Sequence, residues 1–375
     1  MGTTSEEASA LVKAALGRLR KDGRLRDVST LACLRDGEMS LGTRVSLENI
    51  LTHHYFHCGD YVSALVHARA WRVVAPRSVP AVSSELFILM RLRRWEELLR
   101  ASLVAIAEYP SDSSFYSVQC KALYELGREP EAREAGTRCL ALKARASLSQ
   151  RSDLSVVPVP PFDPLRSGAN VLSYSLYGSN PRYVDGALRN VKDAKLLYPC
   201  WTCRFYVDSS VPSSALDDLR SSGAQVLVVQ GLPASRYGLF WRFMVCDDPS
   251  VERYLVRDCD SQLSVRERLA VDEWLLSTAH FHVMRDWITH TELILAGLWG
   301  GVRGALVNVE SSFRSYLEGR FWSRTIDQQF LREKVWSTVG QSAVVHDSFF
   351  SFGSVSPFPQ LADLPGGHVG MGIRS

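Results

Sequence analysis

The sequence predicts an α plus α/β protein, a helical solenoid followed by a Rossmann-like α/β domain, and three observations carry that prediction. The first 150 residues superimpose on themselves at a constant offset of 34 residues. A proline-rich run, VVPVPPFDP at residues 156–164, then interrupts every periodic pattern. Beyond it, short apolar runs alternate with helical spacings, which implies a parallel sheet covered on both faces. The expected boundaries are a repeat domain at 1–150, a linker at 151–167 and an α/β domain at 168–375.

A chain of 375 residues with 46% hydrophobic and 22% charged residues suits two globular domains. Its net charge of +3, without a long basic run, argues against a nucleic-acid partner. The eight cysteines (33, 58, 120, 139, 200, 203, 246 and 259) lie mostly in apolar patterns, as reduced thiols do. Cys200-Trp201-Thr202-Cys203 precedes a strand rather than opening a helix, which disfavours a redox motif. No stretch approaches the ~20 apolar residues of a transmembrane segment. The acidic N-terminus is unlike a signal peptide, and Glu6 stands where myristoylation expects Ser or Thr. The expectation is a soluble, cytoplasmic protein.

The repeat register is explicit in the residues. Gly59, Arg93 and Gly127 share one position, as do Tyr61, Trp95 and Glu129, and Ala64, Leu98 and Ala132. Pro76 and Pro110 close two units, and Ala144 takes the third closing position. A small residue lets two helices approach, an aromatic packs into the next unit, and proline stops the second helix. This pattern resembles the tetratricopeptide repeat, a helix–turn–helix unit of this length. Residues 6–26 are expected to form one further helix, a cap or degenerate repeat. The resemblance implies a concave surface for a peptide or protein partner; the plainer alternative is a packing platform. His53 and His57 have i,i+4 helical spacing, but neither a following Glu nor a nearby cysteine pair supports a metal there.

Four prolines in residues 156–164 forbid helix and favour an extended connector. Strands are then expected at 171–176, 203–207 and 225–229, with helices at 182–197 and 213–222. Ligands of such sheets lie beyond the carboxyl ends of the strands. Tyr174, Ser175 and Asp208 fall at such ends, which makes them candidates for the ligand site. The apolar run Tyr254-Leu255-Val256 also ends at one, in Arg257 and Asp258-Cys259-Asp260. Two carboxylates one residue apart offer hard oxygens to a hydrated divalent cation bridging two phosphates. Neither Gly-x-Gly-x-x-Gly nor a Gly-Lys-Ser/Thr loop is present, which disfavours a dinucleotide oxidoreductase or P-loop kinase.

Six ordered segments extend the acidic pair: FWRF (240–243), RDCDSQLSVRERLAVDEWL (257–275), FHVMRDWITH (281–290), ILAGLWGG (294–301), IDQQFL (326–331) and VVHDSF (344–349). Together they resemble a little-characterised group of GT-A-type, nucleotide-sugar-dependent glycosyltransferases. The resemblance implies that Asp258 and Asp260 hold the donor diphosphate through Mn²⁺ or Mg²⁺, with His346 as a further metal ligand. It places Arg242, Arg257 and Arg285 beside the donor, and His290, Trp299 and Gly300 beside the sugar or acceptor. Trp287-Ile288 replace His-Pro of the pattern and Leu298 replaces a common Met, departures that bear on the acceptor more than the donor.

The implied reaction is attack of an acceptor hydroxyl on the anomeric carbon, with nucleoside diphosphate leaving. Asp286 is the candidate general base if configuration inverts. Asp327-Gln328 resembles a pair found near the anomeric carbon in some retaining families, so the stereochemistry stays open. The acceptor class (glycan, lipid-linked or protein) is open too. One competing reading is a non-catalytic interaction scaffold with a transferase-like fold. Another, a nucleotidyltransferase, would want a Gly-rich, Lys-containing loop after the first strand, and Tyr177-Gly178-Ser179-Asn180 has no Lys.

Overall fold

The computed structural model describes residues 5–22, 31, 34, 39–148, 157–360 and 368–372. Cys33, residues 23–26 of the expected cap helix and residues 151–156 of the expected linker lie outside the described residues. The chain divides into two compact units, Met1–Ala135 and Gly136–Ser375.

The first unit is helical. Helices α1 (Ser5–Asp22), α2 (Leu41–His57), α3 (Tyr61–Val74), α4 (Val79–Arg91), α5 (Trp95–Glu108) and α6 (Ser113–Glu125) follow one another, and α7 (Glu129–Ser147) begins here. Asp60, Ser78 and Asp112 cap α3, α4 and α6 through their side-chain oxygens. The repeat register has a backbone cause. Gly59, Arg93 and Gly127 all lie at positive φ (80°, 55° and 75°), where each unit turns from its first helix into its second. Ala64, Leu98 and Ala132 are fully buried one turn later. The second helices stop at Val74 and Glu108, just before Pro76 and Pro110. The third, with Ala144 in place of proline, runs on to Ser147. Tyr61 lies under Arg91 and Trp95 under Lys121, each an aromatic meeting the following repeat. His53 Nδ1 bonds the Asn49 carbonyl oxygen at 2.9 Å, so this ring folds back onto its own helix.

The second unit is built on a seven-stranded sheet in the order β3-β2-β1-β4-β6-β5-β7. Its strands are β1 (Asn170–Leu176), β2 (Thr202–Val207), β3 (Gln225–Val228), β4 (Arg253–Val256), β5 (Phe281–Arg285), β6 (Trp299–Val302) and β7 (Ala343–Asp347). The first three expected strands and the two helices between them, α8 (Pro181–Leu197) and α9 (Ser213–Ser221), are present within one residue. The sheet is mixed rather than parallel, because β6 runs antiparallel to both β4 and β5. Glycines make that insertion possible. A Cβ at Gly300 would sit 2.5 Å from the Tyr254 carbonyl oxygen, and one at Gly301 would sit 2.5 Å from the Tyr254 hydroxyl. Trp299, expected to face a sugar, is wholly buried against Phe243 and Tyr254.

Period-2 alternation sorts the strands onto two cores. Val171, Tyr254 and Val256 join one face, and Leu172, Tyr174, Leu176 and Leu255 the other. Helices α10 (Val265–Leu275), α11 (Val309–Leu317) and α12 (Ile326–Phe330) complete the elements that bear on the site. The proline-rich run is extended, and it is packed down. Phe162 stacks on Trp201, and Arg253 donates to the Pro160 carbonyl.

Arg93 is the one non-glycine at the repeat turn, and a left-handed L-residue costs about 1–2 kcal/mol. Arg93→Gly should stabilise the chain by about 1 kcal/mol after the entropy of glycine is counted, read in urea unfolding. No gain would contradict the strained-turn account.

Candidate functional site

A cavity of about 910 Å³ opens beyond the carboxyl ends of β1 and β4. Ser175, Arg242, Asp258, Asp260, Asp327 and Gln328 line it together, so six of the expected residues meet in one place. After β4 Arg257 N still donates to the Ser173 carbonyl at 3.0 Å, and the chain then turns at Cys259-Asp260, where Ser261 N donates to the Asp258 carbonyl at 3.2 Å. That turn leaves Asp258 and Asp260 lining the cavity and tucks the Cys259 side chain toward the core below, where its thiol donates to the Ser175 carbonyl.

Arg242 holds the centre. It sits on the 3₁₀ turn Trp241–Asp247, whose backbone is clamped by two serines of β1. Ser173 Oγ donates to the Arg242 carbonyl at 2.7 Å, and Arg242 N donates to Ser175 Oγ at 2.9 Å. Its guanidinium, 6% exposed, donates to Asp258 on one wall and to Asp327 Oδ2 at 2.7 Å on the other. Burial opposes the charge of Arg242, and the two carboxylates outweigh burial and raise its pKa. Its Nε is buried with no partner among the described residues.

The carboxylates have different environments. Burial pushes Asp327 up to about 6, against the pull of Arg242, and the nearby Asp258 charge adds to the rise. Asp260 is raised as well, first by burial and then by Asp258, with Arg182 opposing. Arg182 Nη2 lies 2.7 Å from Asp260 Oδ2. Gly297 closes the wall behind Asp258, because a Cβ there would overlap that carboxylate. Arg182, Gly297, Tyr177 and Arg324 are not among the site residues expected from the sequence. The signal for Gly297 was its place among the glycines of ILAGLWGG. For Arg182 it was the first turn of the helix after β1.

The other expected residues lie elsewhere. Tyr174 points to the opposite face of β1 and stacks on Phe205 at 4.8 Å. Asp208 accepts from Ser210 N, and Ser210 Oγ accepts from Gly178 N, so it braces the cavity loop from behind. Arg257 is buried on Glu267 at 2.8 Å, and Arg285 on Asp347 at 2.6 Å. Asp286 has its oxygens filled by two bonds from Arg266, one from Ser348 and one from Val369 N. That carboxylate is saturated and lies outside the cavity lining. His290 Nδ1 accepts from Asp286 N, and burial, with the His368 charge adding to it, pushes the His290 ring down to about 3. Trp299 and Gly300 belong to the sheet core.

His346 does not join the acidic pair. β7 is three strands from β4, roughly 14 Å at ordinary strand spacing. There His346 is bonded to His282 and to Glu273, both at 2.9 Å. Among the described residues no group of three or more His, Cys, Asp or Glu side chains is placed to hold a metal. The cavity offers two neighbouring carboxylates, and a cation relieves both the burial that raises Asp260 and the Asp258 charge that adds to it. That donor set fits Mg²⁺ or Mn²⁺ completed by water and phosphate oxygens, not an all-protein cage.

No protein-family model matches the chain, and no curated protein sequence matches it. Solved structures do. A MamA double mutant matches with TM-score 0.33 and 14% identity over 39% of this chain and 80% of that one. A mutant O-GlcNAc transferase of Thermobaculum terrenum matches with TM-score 0.35 and 18% identity over 61% and 43%. The Pyrobaculum calidifontis mannosyltransferase PcManGT, in complex with GDP-Man and Mn²⁺, matches with TM-score 0.34 and 13% identity over 67% and 70%. At such values these likenesses decide neither fold nor chemistry. Among the described residues no helix is long and apolar enough to cross a membrane.

The raised pKa of Asp327 has a defined sign. The folded chain binds this proton more tightly than the unfolded chain, whose value is 3.8. The stabilisation is complete below about pH 4 and is lost as pH rises through about 6. Across that window the stability of Asp327→Asn relative to wild type should rise by on the order of 2–3 kcal/mol, on top of a pH-independent cost for leaving Arg242 with one carboxylate, in urea unfolding of the metal-free chain. A difference independent of pH would contradict it.

Proposed function

We propose that this chain is a metal-dependent glycosyltransferase of GT-A type, taking a sugar from a nucleoside diphosphate to an acceptor hydroxyl. The observation that carries the reading is the Arg242 guanidinium, bonded to Asp258 and Asp327 across one cavity that also holds Asp260. Tyr177, Gly178, Ser179, Asn180 and Pro181 supply another wall, at the N-terminus of the 17-residue helix α8. Its positive end favours a diphosphate there.

Asp258 and Asp260 would hold Mn²⁺ or Mg²⁺, which supplies Lewis-acid stabilisation of the leaving diphosphate when bound. Arg242 and Arg182, already hydrogen-bonded to those carboxylates, provide guanidinium groups beside the departing charge. The acceptor oxygen forms its bond to the anomeric carbon, the bond to the diphosphate oxygen breaks, and the acceptor proton passes to a base. Asp327, buried and next to Gln328, is the carboxylate of the cavity suited to act at that centre. The saturated Asp286 positions the 286–290 turn and is not assigned to proton transfer. The helical repeats are assigned to a protein partner or the acceptor.

Acceptor-free hydrolysis of a nucleotide sugar, dependent on added Mn²⁺, tests the reading. Its complete absence across UDP-, GDP-, CMP- and dTDP-sugars would favour a non-catalytic scaffold. Asp260→Ala should abolish Mn²⁺-dependent nucleotide binding in titration calorimetry while the helical signal of the repeats persists. Gly297→Ala should weaken the same binding about tenfold or more by displacing Asp258, with the global unfolding midpoint little changed. Unaltered affinity in both variants would refute the assigned roles.

A further inference from the structure

One feature of the cavity mouth is not used by the donor. Between α11 and α12 the chain runs Gly319-Arg320-Phe321-Trp322-Ser323-Arg324, where Phe321 is 94% and Trp322 51% exposed. Both ends of this loop are tied down. Arg320 N donates to the Leu317 carbonyl, Ile326 N to the Ser323 carbonyl, and Gln329 Nε2 to Ser323 Oγ. The aromatics are thus held out at a fixed tip. Arg324, at the base of the loop, lines the cavity beside Asp327 and Gln328. Single exposed apolar residues such as Leu165 and Leu276 are ordinary on a protein surface. Two adjacent exposed aromatics, two and three residues before a cavity-lining arginine, are not.

The chemistry of the loop selects its occupant. A sugar ring on an aromatic face needs hydrogen-bonding groups around it, and the two that directly flank these aromatics, Arg320 and Ser323, are engaged. Arg320 is bound to Tyr316 and Glu333, and Ser323 to Gln329. A bilayer interface asks only for protruding aromatic area with a cation nearby. We propose that Phe321 and Trp322 enter a membrane surface and that Arg324 takes the anionic group of a lipid-linked acceptor, delivering its hydroxyl to the cavity. This rests on the glycosyltransferase reading and narrows its acceptor to an anionic amphiphile. One such anchor gives weak, reversible attachment, strengthened by anionic lipid.

The test is co-sedimentation of the full-length chain with phosphatidylcholine vesicles, with and without phosphatidylglycerol, alongside acceptor-free donor hydrolysis. Wild type should sediment with vesicles, more so with phosphatidylglycerol, and the Phe321→Ser/Trp322→Ser double variant should lose at least tenfold in partitioning while hydrolysing donor normally. Trp322→Phe should keep partitioning but lose the tryptophan blue shift on vesicle addition. Wild type that hydrolyses donor yet ignores both vesicle types would overturn this proposal and leave the parent reading standing. Shielding of Trp322 by a soluble oligosaccharide, with no vesicle binding, would overturn it in favour of a soluble glycan. Vesicle binding unchanged in the double variant would overturn it as well.

Discussion

One buried guanidinium organises this molecule. Arg242 stands between Asp258, at the end of β4, and Asp327, on α12, two elements far apart in sequence that meet across the cavity. A buried charge is tolerable only when paired, and removing one partner of such a pair costs about 3–5 kcal/mol. The fold meets that demand by gripping the Arg242 backbone with Ser173 and Ser175, so that the first strand of the sheet sets the position of the cation. Strand β1 fixes Arg242, Arg242 fixes Asp258 and Asp327, and the carboxylates and guanidinium together define what the cavity can accept.

Around that centre, most of the polar residues in the six ordered segments are structural. Arg257 with Glu267 and Arg285 with Asp347 are buried pairs, and buried Asp286 pairs with half-buried Arg266; they tie strand ends to helix α10 and to one another. His282, His346 and Glu273 form a further chain beneath Trp274. The two neutral imidazoles, both with lowered pKa through burial, let this chain exist without a buried charge on either ring. These networks hold the segment 286–298 in place, including Gly297 behind Asp258. Chemistry at the cavity therefore depends on residues that never touch it.

Much of the architecture was legible because it rests on local rules. The 34-residue offset reports a left-handed turn repeated at Gly59, Arg93 and Gly127, and the early strands follow from apolar runs flanked by turn residues. The acidic pair was legible because two carboxylates one residue apart directly after an apolar run stand out, and the turn that ends β4 leaves both on the cavity. What stayed hidden was non-local. Trp299-Gly300-Gly301 reads as a platform and turn, yet pairing with β4 and β5 makes it a central strand. His346 was drawn to the acidic pair by its place in the chain, but the sheet order sends β7 to the far edge. Arg182 and Gly297 escaped notice because an ion pair across a cavity and a missing Cβ leave no spacing to read.

The charge arrangement around Arg242 is proposed to receive a diphosphate together with a divalent cation. Thermal unfolding of the full chain against a panel of nucleoside diphosphates, each with and without Mn²⁺, addresses it most directly. At a ligand concentration about 100-fold above its dissociation constant, stabilisation of about 2.7 kcal/mol is expected for one nucleotide, and only when Mn²⁺ is present. If no nucleotide shifts the transition, or if the shift is the same without the metal, the cavity is not the donor site described here.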